Sequence, residues 1–367
     1  MDFAGLIGKF RANRPLTQQE QQHRLKQAQR LDVHPHYQLS VIEMNATSLE
    51  VVDKWYAERG TITAIMLTVI AMLVVFFSAM LHLALTREPG SPGGDSDVGI
   101  LVFIAVLSAP LLAAAGWALR KEMFAYTHYP LQFNRSTRMV HAFRTDGTVL
   151  SVPWDSVLFT LGQVDQLYKF WNILGHVMAE DGTTVKESFA LSITSDGSPD
   201  GIGILRSHWE FVRRYMEDGP AAVNGQVQFC IPIKHRRETV RIALHRLLVN
   251  GGGGGATSMP LQLFGALFNM VVLPFRWLAM RTSTIPRWPA AIEAAAAIPD
   301  NDPYAIAGSP RADRVAVFPA AAQAAGVRFT GPPGNPTVPA AGTGAAMPMQ
   351  GTTPSSRTKV AQKKHRR

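Results

Sequence analysis

Two uninterrupted apolar runs divide the chain. From Thr61 to Leu85, TITAIMLTVIAMLVVFFSAMLHLAL carries no formal charge, and from Val98 to Leu119, VGILVFIAVLSAPLLAAAGWAL carries none either. Each exceeds the roughly 20 residues a helix needs to cross a 30 Å hydrocarbon core, so both predict transmembrane helices. The linker TREPGSPGGDSD is short and turn-rich, which makes the pair an antiparallel hairpin. His82 lies near the end of the first run, where its ring reaches the interface, and Pro110 in the second predicts a kink.

After the second run the pattern changes to alternation. HYPLQFN, RMVHAFR, TVLSVPW, SVLFTLG, NILGHVMA and TTVKESFALSI read as six short strands, with Asp146-Gly147 and Asp181-Gly182 as hairpin turns. An antiparallel meander follows, closed by a helix over 203–218 in which Leu205, Trp209, Val212 and Met216 share one face before Gly219-Pro220 stops it. The expected class is an α+β membrane protein. It joins a transmembrane helical hairpin (61–119) to a β-rich domain over 120–233, with the strand-then-helix order of pleckstrin-homology-like modules.

Residues 1–60 predict a helical segment. Phe3, Leu6, Ile7 and Phe10 have the spacing of a short interfacial helix. Thr17 with Glu20 is a capping-box pair ahead of the glutamine-rich QQEQQHRLKQAQRL. Downstream, 234–250 predicts a basic amphipathic helix with Val240, Leu244, Leu247 and Leu248 on one side. Lys234, Arg236, Arg237, Arg241 and Arg246 supply its charge. Gly251–Gly255 lack the lysine that a phosphate-binding loop requires, so 251–258 reads as a hinge. Residues 259–304 then give an apolar helix, lying in the inner interface or packed on the hairpin, and a second short helix. The stretch 305–367 is too poor in large apolar residues to form a core and predicts a disordered tail ending in Lys363, Lys364, Arg366 and Arg367.

Charge distribution orients these elements. The chain is 17% charged with a formal net charge of +9. Lys54 and Arg59 precede the first run and Arg120 and Lys121 follow the second, whereas the linker sets Arg87 against Glu88, Asp95 and Asp97. The bias of basic residues puts both termini in the cytoplasm. About sixty mainly polar residues before the first run argue against a cleaved signal peptide. A third crossing at 259–280 would carry the basic tail outside, against the same bias. On a membrane-tethered chain the nearest polyanion is the lipid headgroup, worth about 1 kcal/mol per basic residue near the surface, so the cations of 234–250 and of the tail are assigned to anionic lipid or an acidic partner rather than nucleic acid.

Catalytic signatures are missing from the sequence. There is no G-x-S-x-G, H-E-x-x-H, G-x-x-x-x-G-K-[ST] or strand-linked G-x-G-x-x-G. Asp155, Asp165, His176 and Glu187 are the side chains from which an enzyme would have to be built. Trp154, Phe170, Trp171 and Trp209 read as core rather than a stacking box. His34 and His36, with His23 nearby, lack a carboxylate or cysteine at ligand spacing, and one cysteine, Cys230, builds no zinc site. No cofactor, metal or catalytic residue is expected.

The segments HYPLQFNRSTRMVHAFRTDGTVLSVPWD, SHWEFVRRYMEDGP and AMRTSTIPRWPAAIEAAAAIPDNDPY together resemble a family of unknown function among proteobacterial two-span membrane proteins, over roughly Trp55 to Tyr304. Members are encoded near type VI secretion genes, their effectors and the cognate immunity proteins. The resemblance implies a bacterial inner-membrane protein of contact-dependent competition and carries no active-site residues. It makes a secreted effector the expected protein partner, with the chain acting as adaptor or immunity protein. With about a dozen residues outside, immunity would be directed at a membrane-inserting or cytosolic toxin. A lipid-binding scaffold and a membrane-bound enzyme are the rival classes.

Overall fold

A computed structural model describes residues 2–86, 94–164, 169–227, 229–244 and 259–308. All six strands expected after the second apolar run form: β5 (Leu131–Asn134), β6 (Met139–Phe143), β7 (Val149–Pro153), β8 (Val157–Gln163), β9 (Trp171–Met178) and β10 (Thr184–Ser195). They do not make one sheet. A 3-10 turn at Trp154–Ser156 separates β7 from β8, so β5-β6-β7 and β8-β9-β10 belong to two antiparallel sheets. Gly147 and Gly182 take φ of 89° and 66° at the expected hairpin turns.

Both sheets are widened from outside this block. β1 (Arg14–Pro15) and β2 (Arg24–Leu25) flank the second sheet, giving the order β1-β10-β9-β8-β2. β3 (Val41–Met44) pairs with β4 (Ser48–Val51), β4 pairs in turn with β5, and β11 (Ile306–Ala307) pairs with β3 on its other edge. The segment 1–60 is therefore mainly strand and loop, not the helical segment its sequence predicted. The capping box at Thr17 and Glu20 is present, but the helix it opens, α1, is only Gln18–Gln22. The glutamine-rich stretch lacks an apolar face to hold a longer helix, and Gln27 instead donates to the carbonyls of Trp154 and Val157. Residues 3–10 form a turn with Leu6 buried, and β11 takes residues expected in the tail.

Closure comes from α4 (Pro199–Glu217), capped by Ser198. Leu205, Trp209, Val212 and Met216 are each at most 1% exposed, as their spacing predicted. Trp209 stacks on Trp154 with ring centroids 5.7 Å apart and meets Phe159 at 4.8 Å. Burial of side chains this large contributes about 1.5–3 kcal/mol each, with a further increment for aromatic pairing.

α2 (Thr61–Thr86) and α3 (Gly94–Glu122) are long and apolar enough to cross a membrane, and most of α2 beyond its first turn is open to the surroundings. α5 (Met259–Thr282) packs against α2, and α6 (Ala290–Ala295) lies on the first sheet through the Asn134 amide, which donates to the Ala295 carbonyl. The glycine hinge and the tail beyond 308 lie outside the described residues.

Candidate membrane interface

The ends of α2, α3 and α5 meet in a buried polar junction. Glu122, the last residue of α3, is 1% exposed. Its carboxylate accepts from the Gly60 and Thr63 amides at 2.7 and 2.6 Å and from the Thr63 hydroxyl at 2.7 Å. A helix start leaves its first amides unpaired and carries partial positive charge, so a carboxylate there satisfies both. One helix of the hairpin thereby caps the other.

Arg276 of α5 locks the third element to this point. Its guanidinium forms a fork with Glu238 at 2.8 and 3.0 Å and donates to the carbonyls of Tyr56, Ala57 and Arg59 at 2.9, 3.3 and 3.1 Å. The Tyr56 hydroxyl donates to the same Glu238 at 2.8 Å, and its ring lies 5.0 Å from the guanidinium. Gly60 has φ +94°, and a Cβ there would fall on the Arg276 backbone, so only glycine allows the approach. Ser283 donates to the Glu122 carbonyl at 3.1 Å, and the backbones of Thr127 and Thr284 pair at 2.9 Å.

Beside the junction, Arg59 is 1% exposed and lies 5.7 Å from the centre of the Tyr129 ring. Burial and the Arg59 charge together push the His128 pKa down to about 3, so this imidazole is neutral. Asp53 accepts the Tyr129 amide at 2.6 Å. Its own burial raises its pKa despite that bond and the Arg59 charge.

The basic segment is built differently from the expected amphipathic helix. Residues 234–239 are turn and loop, and helix begins only at 240. The reason is internal engagement. Lys234 pairs with Glu43 at 2.6 Å, Arg236 donates to the Pro232 carbonyl, and Arg237 donates to the carbonyls of Met280 and Ser283 at 3.2 and 3.1 Å. Val240, expected on the apolar face, is 50% exposed, while Ile242 and Ala243 are buried. Arg241 is exposed. Arg246, Lys363, Lys364, Arg366 and Arg367 lie outside the described residues. Sequence reasoning missed the joining of Gly60, Glu122, Glu238 and Arg276; the signal for two of them was an acid and a base set just past apolar runs, Glu122 after 98–119 and Arg276 after 259–275.

Of the four side chains weighed for catalysis, the three that are described each bond to different partners. Asp155 pairs with Arg138, and Glu187 with Arg144 at 2.6 and 2.7 Å. His176 bridges the hydroxyls of Thr160 and Ser188 at 3.0 and 2.8 Å, 3.5 Å from Glu20. Asp165 is outside the described residues. His34 and His36 line a cleft of about 570 Å³ with Asp200 and Ser207 of α4. Among the described residues no three His, Cys, Asp or Glu side chains are grouped to hold a metal.

These features define an α+β protein whose two antiparallel sheets are fastened to the base of an apolar helical hairpin. Residues 108–298, more than half of the chain, match the family described as Family of unknown function (DUF6708), and the chain belongs to that family. The match runs from within α3 to just past α6 and includes Glu122, Glu238 and Arg276. No curated protein and no solved structure matches the chain.

Proposed function

We propose that the chain is a non-enzymatic binding protein, anchored in a bacterial inner membrane by the α2–α3 hairpin, with its sheet domain and both termini in the cytoplasm. The observation that supports this best is the junction. A domain joined to its anchor through a capped helix start and a buried ion pair is fixed in orientation, which suits presenting one surface to a partner at the membrane. The two sheets with α4 are read as a pleckstrin-homology-like module. The partner is taken to be a secreted effector of a type VI system, the chain serving as adaptor before loading or as immunity protein against a membrane-inserting or cytosolic toxin.

A second reading, a scaffold for anionic lipid headgroups, is favoured by two cation–aromatic pairs at the hairpin base, Lys121 over Trp117 at 5.5 Å and Arg281 over Trp277 at 5.8 Å. Arg241, Arg246 and the tail cations are the further basic residues that this reading assigns to anionic headgroups. Purification of the full chain from membranes after co-expression with the effector encoded beside it tests the first reading. Stoichiometric retention of the effector is the expected result. An effector that stays unbound while the chain retains phosphatidylglycerol vesicles transfers the assignment to the lipid scaffold, and recovery of the chain in the soluble fraction overturns both.

A further inference from the structure

We infer that α5 is a third membrane-embedded helix, which enters the hydrocarbon layer from the base of the hairpin, antiparallel to α2, with its outer face taken up by lipid acyl chains. This rests on the reading of α2 and α3 as a membrane hairpin. The depth of α5 is set by its C-terminal end. Arg276 packs on Gly60, one residue before α2 begins, and Ser283 bonds to Glu122, where α3 ends. The last turns of α5 are thus level with the base of both apolar helices.

From that level the helix climbs α2. Phe275 lines a groove of about 720 Å³ with Leu67, Ala71, Val75 and Ala79, which mark successive turns of α2 away from the base. Gly265, Asn269, Val272, Arg276 and Ala279 recur at helical spacing on the covered side of α5. The opposite side holds Leu267, Met270, Val271 and Trp277 at 59, 49, 63 and 46% exposure. From Met259 to Phe275 the helix has no charged residue. An apolar face this continuous, beside the exposed face of α2, has hydrocarbon as its natural solvent.

The aromatic pairs fix the same level independently. Trp117 and Lys121 on α3, and Trp277 and Arg281 on α5, are each four residues apart in the last turns of their helices. Tryptophan favours the headgroup layer, and basic side chains beside it reach the phosphates. The charge of Arg276, the one ionised side chain of α5 above Trp277, is matched by Glu238. No full crossing is required.

Spin labels at single cysteines in the full chain, reconstituted in phosphatidylethanolamine–phosphatidylglycerol vesicles, read depth from the ratio of oxygen to nickel-chelate collision rates. Cys230 is 4% exposed and burial pushes its thiol pKa well up, so it does not compete for the label. The variants are Trp277→Cys, Val271→Cys and Leu267→Cys on α5, with Val75→Cys on α2 as reference. At 1.5 Å per residue, Val271→Cys should lie up to about 9 Å and Leu267→Cys up to about 15 Å deeper than Trp277→Cys. Equal depths at the three α5 sites, with Val75→Cys deep, overturn the insertion of α5 and leave the hairpin standing. An aqueous reading at Val75→Cys removes the hairpin and the inference with it.

Discussion

Arg276 and Glu238 meet in a two-pronged ion pair with side chains 0% and 1% exposed, and the pair joins the loop after the sheets to the helix lying on α2. Neither charge is stable at that site alone. The surrounding carbonyls of Tyr56, Ala57 and Arg59 are oriented to the guanidinium and the Tyr56 hydroxyl to the carboxylate, so the network is satisfied only when both are present.

Removing either partner should therefore cost more than removing both. Arg276→Met and Glu238→Gln are each expected to lower the unfolding free energy by about 3–5 kcal/mol, because an uncompensated charge or an unmatched donor fork stays buried. The double variant should lose less than the sum. Chemical denaturation of the full chain in detergent, followed by tryptophan fluorescence, measures the cycle.

Gly60 and Gly116 separate a backbone requirement from mere smallness. Gly60 has positive φ and no room for a Cβ against Arg276, whereas at Gly116, within α3, an added Cβ would meet nothing within 4 Å. Gly60→Ala should abolish folded yield or detach α5 from the hairpin, while Gly116→Ala should be neutral within about 1 kcal/mol. Yield after size-exclusion chromatography and the melting temperature report both.

Glu50 makes stability fall with rising pH. Burial pushes its carboxyl from 4.5 up to about 7, against the hydrogen bond from Trp288 and the charge of Lys234. The folded-state pKa is the higher one, so between pH 4.5 and about 7 the unfolded chain releases a proton that the folded chain keeps. Over that window the group removes up to about 3 kcal/mol of stability, and above it the loss is complete. Glu50→Gln keeps an acceptor for Trp288 and should flatten this slope, with its largest gain near pH 8. Denaturation midpoints from pH 4.5 to 8 decide it.

The same residue explains what the sequence concealed. Strands β5–β10 were legible because their apolar positions alternate and their turns carry Asp-Gly. SLEV alternates as well and VIEM sets Ile42 and Met44 on one side, but Glu43 and Glu50 look like solvent-facing positions. In the fold they sit opposite each other at 7% and 6% exposure, because Trp288 and Lys234 cover that face from far along the chain. The junction was hidden for a related reason. Glu122, Glu238 and Arg276 each look like ordinary flanking charges until three chain segments bring them together. Local periodicity shows which face of an element is apolar, but not which distant segment arrives to cover its polar face.

The N-terminal turn offers the sharpest contrast between sequence and fold. As an interfacial helix, residues 3–10 would contribute membrane affinity. In the fold, Leu6 joins Trp55, Ile62, Tyr129 and Trp288 in one apolar cluster, and Asp2 pairs with Lys54 at 2.9 Å while Asn172 bonds to both. The two charged side chains are 3% and 1% exposed. Burial pushes the Lys54 pKa down, and Asp2 works against that fall. Asp2→Ala removes the counterion and should destabilise the domain by about 3–5 kcal/mol, with Asp2→Ala/Lys54→Met recovering part of it. Both variants should sediment with membranes as the parent does. A variant that keeps its denaturation midpoint and loses membrane association instead would restore the anchor role to this segment.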